Sequence, residues 1–248
     1  MKYFVLGNWK SNGTTEMVAA FAADFQRPAG MEQAGLASGL ALPFHLLHQG
    51  PVLGDMMVGA QNTSAFGEGA YTGEITAGMI AASGCNFCLV GHSERRHLFG
   101  ETVNDTAEKL ARLLDNQLFP VFCIGETLEQ RQANLLKAVL TEQLAPLANL
   151  PKQARFAVAY EPVWAIGTGV AASPDDAAQA HVLVKRLLAG FGFTETPVLY
   201  GGSVNAGNAA TLAAEDNVDG FLVGGASLKG ADLSAIVSGF AQGKNLTT

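Results

Sequence analysis

Glu161 stands between a short apolar run, FAVAY (Phe156 to Tyr160), and Pro162, which lacks an N–H and biases the chain out of a sheet. The carboxylate is thereby placed at a strand exit. Pro162, Val163 and Trp164 lead into Ala165, Ile166, Gly167, Thr168 and Gly169, then Val170, Ala171 and Ala172, a loop of little bulk whose glycines can bring backbone amides close to a ligand. Such a lid, closing over a carboxylate, excludes water, disfavours the charged form and is expected to raise the pKa toward useful basicity for proton abstraction. His92, in GHSERR, precedes a helix start at Ser93 to Arg95, where a neutral imidazole is favoured and can donate to a carbonyl oxygen. Lys10, in GNWK, lies two residues past a buried run, where a cation is costly without an anionic ligand. Gly224, Gly225 and Ala226 open a short extra helix and Ser203 follows the pair Gly201 and Gly202, so these turns offer amides and a hydroxyl to a phosphate, with Gly167 as a third donor.

Each of these residues also has an ordinary use. A strand-end glutamate can be solvated, a lysine can lie on the surface, a histidine can be structural, and glycine pairs can simply turn the chain. His45, His48, His97 and His181, in or beside helical segments without matching partners, read as solvated or structural. Gly167, Gly169 and Ala172 also match G-x-G-x-x-A, with Glu195 near the distance for a ribose contact. A dinucleotide fingerprint turns tightly from strand to helix, however, and Pro162 to Ile166 intervene here.

The elements that must position these groups recur along the chain. Apolar runs start at Phe4 (FVLGN), Gly39 (GLALP), Met57 (MVGAQ), Phe87 (FCLVGH), Val121 (VFCIGE), Phe156 (FAVAYE), Val198 (VLYGG) and Gly220 (GFLVGG). They are continuous rather than alternating, as in parallel strands covered on both faces. Ala/Leu-rich helical patterns separate them, the clearest from about Thr127 to Ala148 and from Pro174 to Ala189, the latter capped by Ser173. Eight β-then-α units predict an α/β protein folded as one (β/α)₈ barrel domain over residues 1–248. Its strand exits then carry Asn8 and Lys10, His92, Glu161, the Gly201–Ser203 turn, and Gly224 with Gly225. A base, an electrophile, a cation and an anion cradle converge. Thr63 to Thr76 has no obvious element, and its Phe66 and Tyr71 suggest insertion into another subunit.

Charged residues are 15% of the chain and apolar types 48%, so much surface is expected to be buried internally or in a homo-oligomer. The net charge of −7 argues against nucleic acid or an anionic membrane as partner, and requires the site to supply its own positive potential. The apolar start, Tyr3 to Leu6, ends at Gly7, and no run reaches the roughly 18 residues of a membrane span. Cys85 and Cys88 form a C-x-x-C without a second ligand pair, so the three cysteines read as reduced core thiols of a cytoplasmic protein.

GNWK, GAQN (Gly59 to Asn62), GAYTGE (Gly69 to Glu74), VGHSERR, CIGE (Cys123 to Glu126), AYEPVWAIGTG, YGGSV and VGGASL together make the chain resemble the triosephosphate isomerase family over essentially its full length. The resemblance implies that Glu161 moves a proton between adjacent carbons of a triose phosphate, that His92 polarises the carbonyl, and that Lys10 stabilises developing negative charge. Asn8 would position Lys10, and Glu94 would be a further polar member. Gly167, Ser203 and Gly225, with Gly224 alongside, would hold the phosphate. No metal or organic cofactor is implied. A homodimer is, with Thr72 at the tip of a loop reaching the neighbour's Asn8 and Lys10. The family commonly has Lys-Thr or Lys-Ser after the second lid glycine, whereas Val170 and Ala171 stand here, so lid kinetics are expected to differ while the reaction class does not.

Overall fold

The computed structural model describes residues 1–165 and 173–246. Strands β1 (Tyr3–Asn8), β2 (Leu36–Leu42), β3 (Met57–Ala60), β4 (Phe87–Val90), β5 (Phe119–Ile124), β6 (Ala157–Tyr160), β7 (Val198–Tyr200) and β8 (Gly220–Val223) pair in parallel, each with the next. β8 also pairs with β1, which closes the barrel expected from the sequence. Three strands begin earlier than expected, β1 at Tyr3 rather than Phe4, β2 at Leu36 rather than Gly39 and β5 at Phe119 rather than Val121.

Helices α1 (Thr15–Asp24), α2 (Ala77–Ala82), α3 (Ser93–Phe99), α4 (Val103–Asp115), α5 (Leu128–Gln132), α6 (Leu136–Leu144), α7 (Pro174–Phe191), α8 (Ala209–Ala214) and α9 (Gly230–Gly243) cover the outside. Between β2 and β3 the crossover is a 3₁₀ run, Phe44–Leu53, with Pro51 inside it, where proline denies the backbone an α-helical hydrogen bond. The helix expected from Thr127 to Ala148 is not continuous. It breaks between α5 and α6, where Asn134 takes a left-handed φ of 56°, and ends in a 3₁₀ turn, Ala145–Asn149. α7 starts as expected, on the Ser173 hydroxyl accepting from Asp176 N, and runs two residues past Ala189 to Phe191.

Side-chain alternation divides the core in two. Phe4 and Leu6 of β1, Ala37 and Ala41 of β2, Phe87 and Leu89 of β4, Val121 and Cys123 of β5, Ala157 and Ala159 of β6, Leu199 of β7 and Leu222 of β8 form the cluster inside the barrel. The intervening residues pack against the helices in a larger cluster. Inside the barrel, large side chains are matched by small ones. A Cβ on Gly59 would sit 2.4 Å from the ring of Phe87, so the barrel closes around that phenylalanine only with glycine opposite. The two-residue period carries the inward parity to the C-terminal mouth, where Asn8, Glu161, Gly201 and Gly224 follow Leu6, Ala159, Leu199 and Leu222.

His45, His48 and His97 are exposed. His181 is wholly buried between strands and α7, its ring edge-on to Tyr160 at 5.9 Å. Its Nδ1 faces the Asn217 carbonyl at 2.9 Å and therefore carries the ring proton, which leaves Nε2 as a buried nitrogen without a partner among the described residues. A second proton on Nε2 would have no acceptor. Burial accordingly pushes the imidazole pKa down to about 4. The unfolded chain, with an ordinary histidine pKa near 6.5, binds this proton first as pH falls. The contribution is therefore destabilising below pH ~6.5 and grows until about pH 4. His181→Gln retains a donor for the Asn217 carbonyl and removes the titration. Denaturation between pH 7 and pH 5 should show the stability gap between wild type and His181→Gln shrinking by on the order of 1–2 kcal/mol. A gap independent of pH would mean that His181 does not titrate in this way.

Candidate active site

The inward parity of β6 sets Glu161 in the barrel mouth with its side chain 2% exposed. A carboxylate so buried needs donors, and among the described residues it has two: His92 Nε2 lies 3.0 Å from Oε1, and the Ser93 backbone N–H donates to Oε2 at 2.9 Å. Burial opposes charge on Glu161, but His92, the Ser93 amide and Lys10 outweigh it and hold the carboxyl below the ordinary carboxylate range. The direction is opposite to the rise expected on closure of the lid, whose residues from Ile166 to Ala172 lie outside the described residues. The lid's effect on water was the only one visible in the sequence, whereas the decisive donors come from β4 and lie 68 residues away in sequence.

His92 reaches this position by breaking the parity of its strand. Phe87 and Leu89 point inward, so Gly91 would be next, but Gly91 takes φ +73° and turns the chain so that His92 faces the mouth. His92 Nδ1 accepts from the Glu94 N–H at 3.3 Å, which leaves the proton of the neutral ring on Nε2, directed at Glu161. Burial disfavours charge on His92, and the neighbouring Glu161 carboxylate more than compensates, drawing its pKa above the ordinary histidine value.

Lys10 is anchored in both backbone and side chain. Its φ of 53° is left-handed, a conformation that costs a non-glycine residue of order 1–3 kcal/mol and persists where surroundings impose it. Asn8 Oδ1 accepts from the Lys10 N–H at 3.0 Å, and the Gln61 side-chain amide donates to the Lys10 carbonyl at 2.9 Å and to the Ala41 carbonyl at 3.0 Å. Lys10 Nζ bonds Glu94 Oε1 at 2.6 Å. The anion that the sequence required beside this lysine is thus supplied in part by the protein itself.

Asn8, Lys10, His92 and Glu161, the Gly201–Ser203 turn and Gly224 with Gly225 line one cavity of about 270 Å³. A larger cavity, about 510 Å³, opens at the other mouth around Lys2, Arg155 and Glu195. Barrel chemistry is carried at the C-terminal strand ends, and only the smaller cavity combines a buried carboxylate with a histidine. The expected helix at Gly224 to Ala226 is a single 3₁₀ turn, Gly225–Ser227. The Ser203 hydroxyl already donates to the Ala165 carbonyl at 2.8 Å, so what this residue presents to the cavity is its backbone.

Of the lid, Val163–Ala165 form a 3₁₀ turn, and Ile166, Gly167, Thr168, Gly169, Val170, Ala171 and Ala172 lie outside the described residues. The first hinge is tied to Glu126, wholly buried at the end of the CIGE motif after β5. Glu126 accepts from Trp164 Nε1 at 2.9 Å and from the Tyr160 hydroxyl at 3.0 Å, with Arg131 at 3.6 Å. Arg131 also pairs with Asp176 at 2.7 Å, and Asp176 caps α7 with Ser173 beyond the lid. Gln61 and Glu126 were present in GAQN and CIGE, but their partners are distant in sequence and no local spacing pointed to them. Thr72 is exposed in a segment without helix or strand, beside Phe66 and Tyr71, whose rings stack at 4.4 Å and are 49% and 45% exposed. Among the described residues no group of three or more His, Cys, Asp or Glu is arranged to hold a metal, and no helix is long and apolar enough to cross a membrane.

A model of the triosephosphate isomerase family matches residues 3–240. The chain belongs to the triosephosphate isomerase family. The triosephosphate isomerase of Chlamydia muridarum is 42% identical, over 97% of this chain and 92% of its own. That of Marinobacter nauticus is 43% identical over 96% of this chain and 98% of its own, and that of Bacteroides fragilis 41% over 96% and 99%. As a member of the triosephosphate isomerase family the chain is an isomerase that interconverts triose phosphates.

Because the Glu126 side chain is wholly buried, each of its donors should matter to stability. Tyr160→Phe deletes one and leaves the ring in place. Chemical denaturation should show a loss of roughly 1–3 kcal/mol; a loss below 0.5 would indicate that Trp164 and Arg131 satisfy the carboxylate unaided.

Proposed function

We propose that Glu161 is the base that removes a proton from the carbon beside the carbonyl of dihydroxyacetone phosphate and returns it to the neighbouring carbon, giving D-glyceraldehyde 3-phosphate. The observation that carries this assignment is the meeting of Glu161 and His92 at 3.0 Å, with Lys10, in one cavity. Both carboxylate oxygens are engaged, by His92 and by the Ser93 N–H, and a carboxylate so satisfied is a weak base. A substrate carbonyl that takes the His92 Nε2–H in place of Glu161 Oε1 changes this at once: the carbonyl is polarised, and the carboxylate regains a lone pair for the adjacent C–H. The electrons of that C–H bond form the enediol double bond while the carbonyl oxygen gains negative charge. His92 and the Lys10 ammonium stabilise this charge, and His92 moves the proton between the two oxygens of the intermediate. Protonation of the second carbon by Glu161 completes the isomerisation, with no net proton gained or lost.

Asn8 holds the Lys10 backbone, and Glu94 holds both the Lys10 ammonium and the His92 tautomer. The substrate phosphate takes amides from Ser203, Gly225 and, on the lid, Gly167, with Gly224 alongside. The lid, Pro162 to Ala172, sequesters the enediol from water, which prevents expulsion of phosphate. No metal or organic cofactor takes part. Residues 1–248 act as one barrel domain in a cytoplasmic homodimer, with neither nucleic acid nor membrane as partner. The exposed Phe66–Tyr71 stack supports the dimer, since aromatic surface of this kind is covered in most assemblies, and Thr72 would approach the neighbour's Asn8 and Lys10.

A coupled assay on purified protein should show isomerisation of both triose phosphates, with Glu161→Gln lowering kcat by about 10²–10⁴-fold at similar KM. Wild-type activity no greater than that of Glu161→Gln would defeat the assignment. Deletion of Gly69 to Gly73 should give monomers, seen by sedimentation, with kcat reduced at least tenfold; fully active monomers would remove the dimer from the mechanism.

A further inference from the structure

We propose that Glu101 and Arg96 are positioning residues for His92, acting through the peptide of Gly91. Gly91 is the point at which β4 leaves its inward parity, and its left-handed φ of +73° decides where the histidine points. Both polar groups of this residue are held by side chains. The Gly91 N–H donates to Glu101 Oε1 at 2.9 Å, and Arg96 Nε donates to the Gly91 carbonyl at 2.7 Å while its Nη2 reaches the Cys123 carbonyl on β5 at 3.2 Å. A Cβ on Gly91 would lie 2.5 Å from Arg96 Nη2, so glycine is required here by the clamp as well as by φ.

Glu101 is itself firmly located. Its side chain is 2% exposed, and Oε2 accepts from Arg95 Nε at 2.8 Å and from Lys109 Nζ at 2.5 Å, the latter also bound to Asn62 at 2.8 Å. The division of labour between the two oxygens matters. Oε2 is held by cations and fixes the carboxylate, whereas Oε1 is directed at the one backbone amide from which His92 is presented. Two such clamps on one peptide restrict the rotation that would carry Nε2 away from the 3.0 Å contact with Glu161. Lys109 contributes to the same buried cluster without touching Gly91, and so separates support of the fold from support of the histidine.

The inference rests on His92 as the electrophile of the isomerisation, and its test has one readout that needs no catalysis. Glu101→Gln cannot serve both the Gly91 N–H and the Lys109 and Arg95 cations with a single carbonyl oxygen. It should lower kcat by about tenfold with KM changed less than twofold, and it should shift the ¹⁵N resonances of the His92 ring. Arg96→Lys, which can reach only one of the two carbonyls, should do the same and serves if Glu101→Gln does not fold. Lys109→Met leaves Oε2 held by Arg95 and Oε1 on the Gly91 N–H, so it should lower the thermal midpoint while leaving kcat within twofold and the His92 resonances in place. If kcat instead falls in step with the thermal midpoint in all three variants, or if the His92 signals are unmoved in Glu101→Gln and Arg96→Lys, the clamp only supports the fold. Unmoved activity with shifted His92 signals would instead count against His92 as the electrophile, leaving the clamp intact.

Discussion

A carboxylate with 2% of its surface in water keeps its charge only if donors replace the water, and the arrangement of this site follows from how Glu161 meets that demand. One donor is a backbone amide, Ser93 N–H, which cannot leave. The other is His92 Nε2–H, and a side-chain donor can be shared with an arriving ligand. For Nε2 to hold the proton, Nδ1 must accept one, and the Glu94 N–H provides it. Glu94 in turn carries the carboxylate that fixes Lys10. A single buried charge thus determines the tautomer of the histidine and links the cation to the same strand-exit turn.

The barrel does the placing by parity. Closure of eight parallel strands sends alternate residues inward, and the same alternation that packs Leu6, Ala159, Leu199 and Leu222 delivers Asn8, Glu161, Gly201 and Gly224 to the mouth without further instruction. Lys10 and His92 depart from the regular backbone, and both departures are left-handed turns restrained by side chains, Asn8 and Gln61 in one case and Glu101 and Arg96 in the other. On the proposed roles, regular structure places the base and the cradle, and left-handed turns place the electrophile and the cation. At Lys10, a non-glycine residue with φ 53°, conformational energy is spent on that position.

This division explains what could be read in the sequence. Strand order, barrel closure and the strand-exit residues follow from periodic apolar runs, a local property. The break at Asn134 did not, because Ala/Leu-rich flanks read as one helix and a single left-handed residue interrupts it. Gln61, Glu101 and Glu126 act through hydrogen bonds to Lys10, Gly91 and Trp164, and nothing in their own neighbourhood marks them as more than polar residues of connecting segments. The lowered pKa of Glu161 among the described residues is illegible in the sequence for the same reason. Desolvation is foreseeable from a strand exit beside a lid, whereas the pairing that overrides it depends on three-dimensional proximity to β4.

The overall charge of −7 would repel a phosphorylated substrate, so attraction has to be generated within the cavity. Among the described residues Lys10 is the only lysine or arginine lining it, and that lysine is already paired with Glu94 at 2.6 Å. The pairing does not cancel its usefulness. The Lys10 side chain is 27% exposed and that of Glu94 41%, so water screens their attraction and little is lost when an anion draws the ammonium inward. A dry pair would resist such a shift, whereas a fully solvated lysine would have to be ordered on binding. Half-burial avoids both costs: Glu94 keeps the ammonium close to the cavity, and in the proposed mechanism any loss of the screening water would strengthen its attraction for negative charge developing on the substrate.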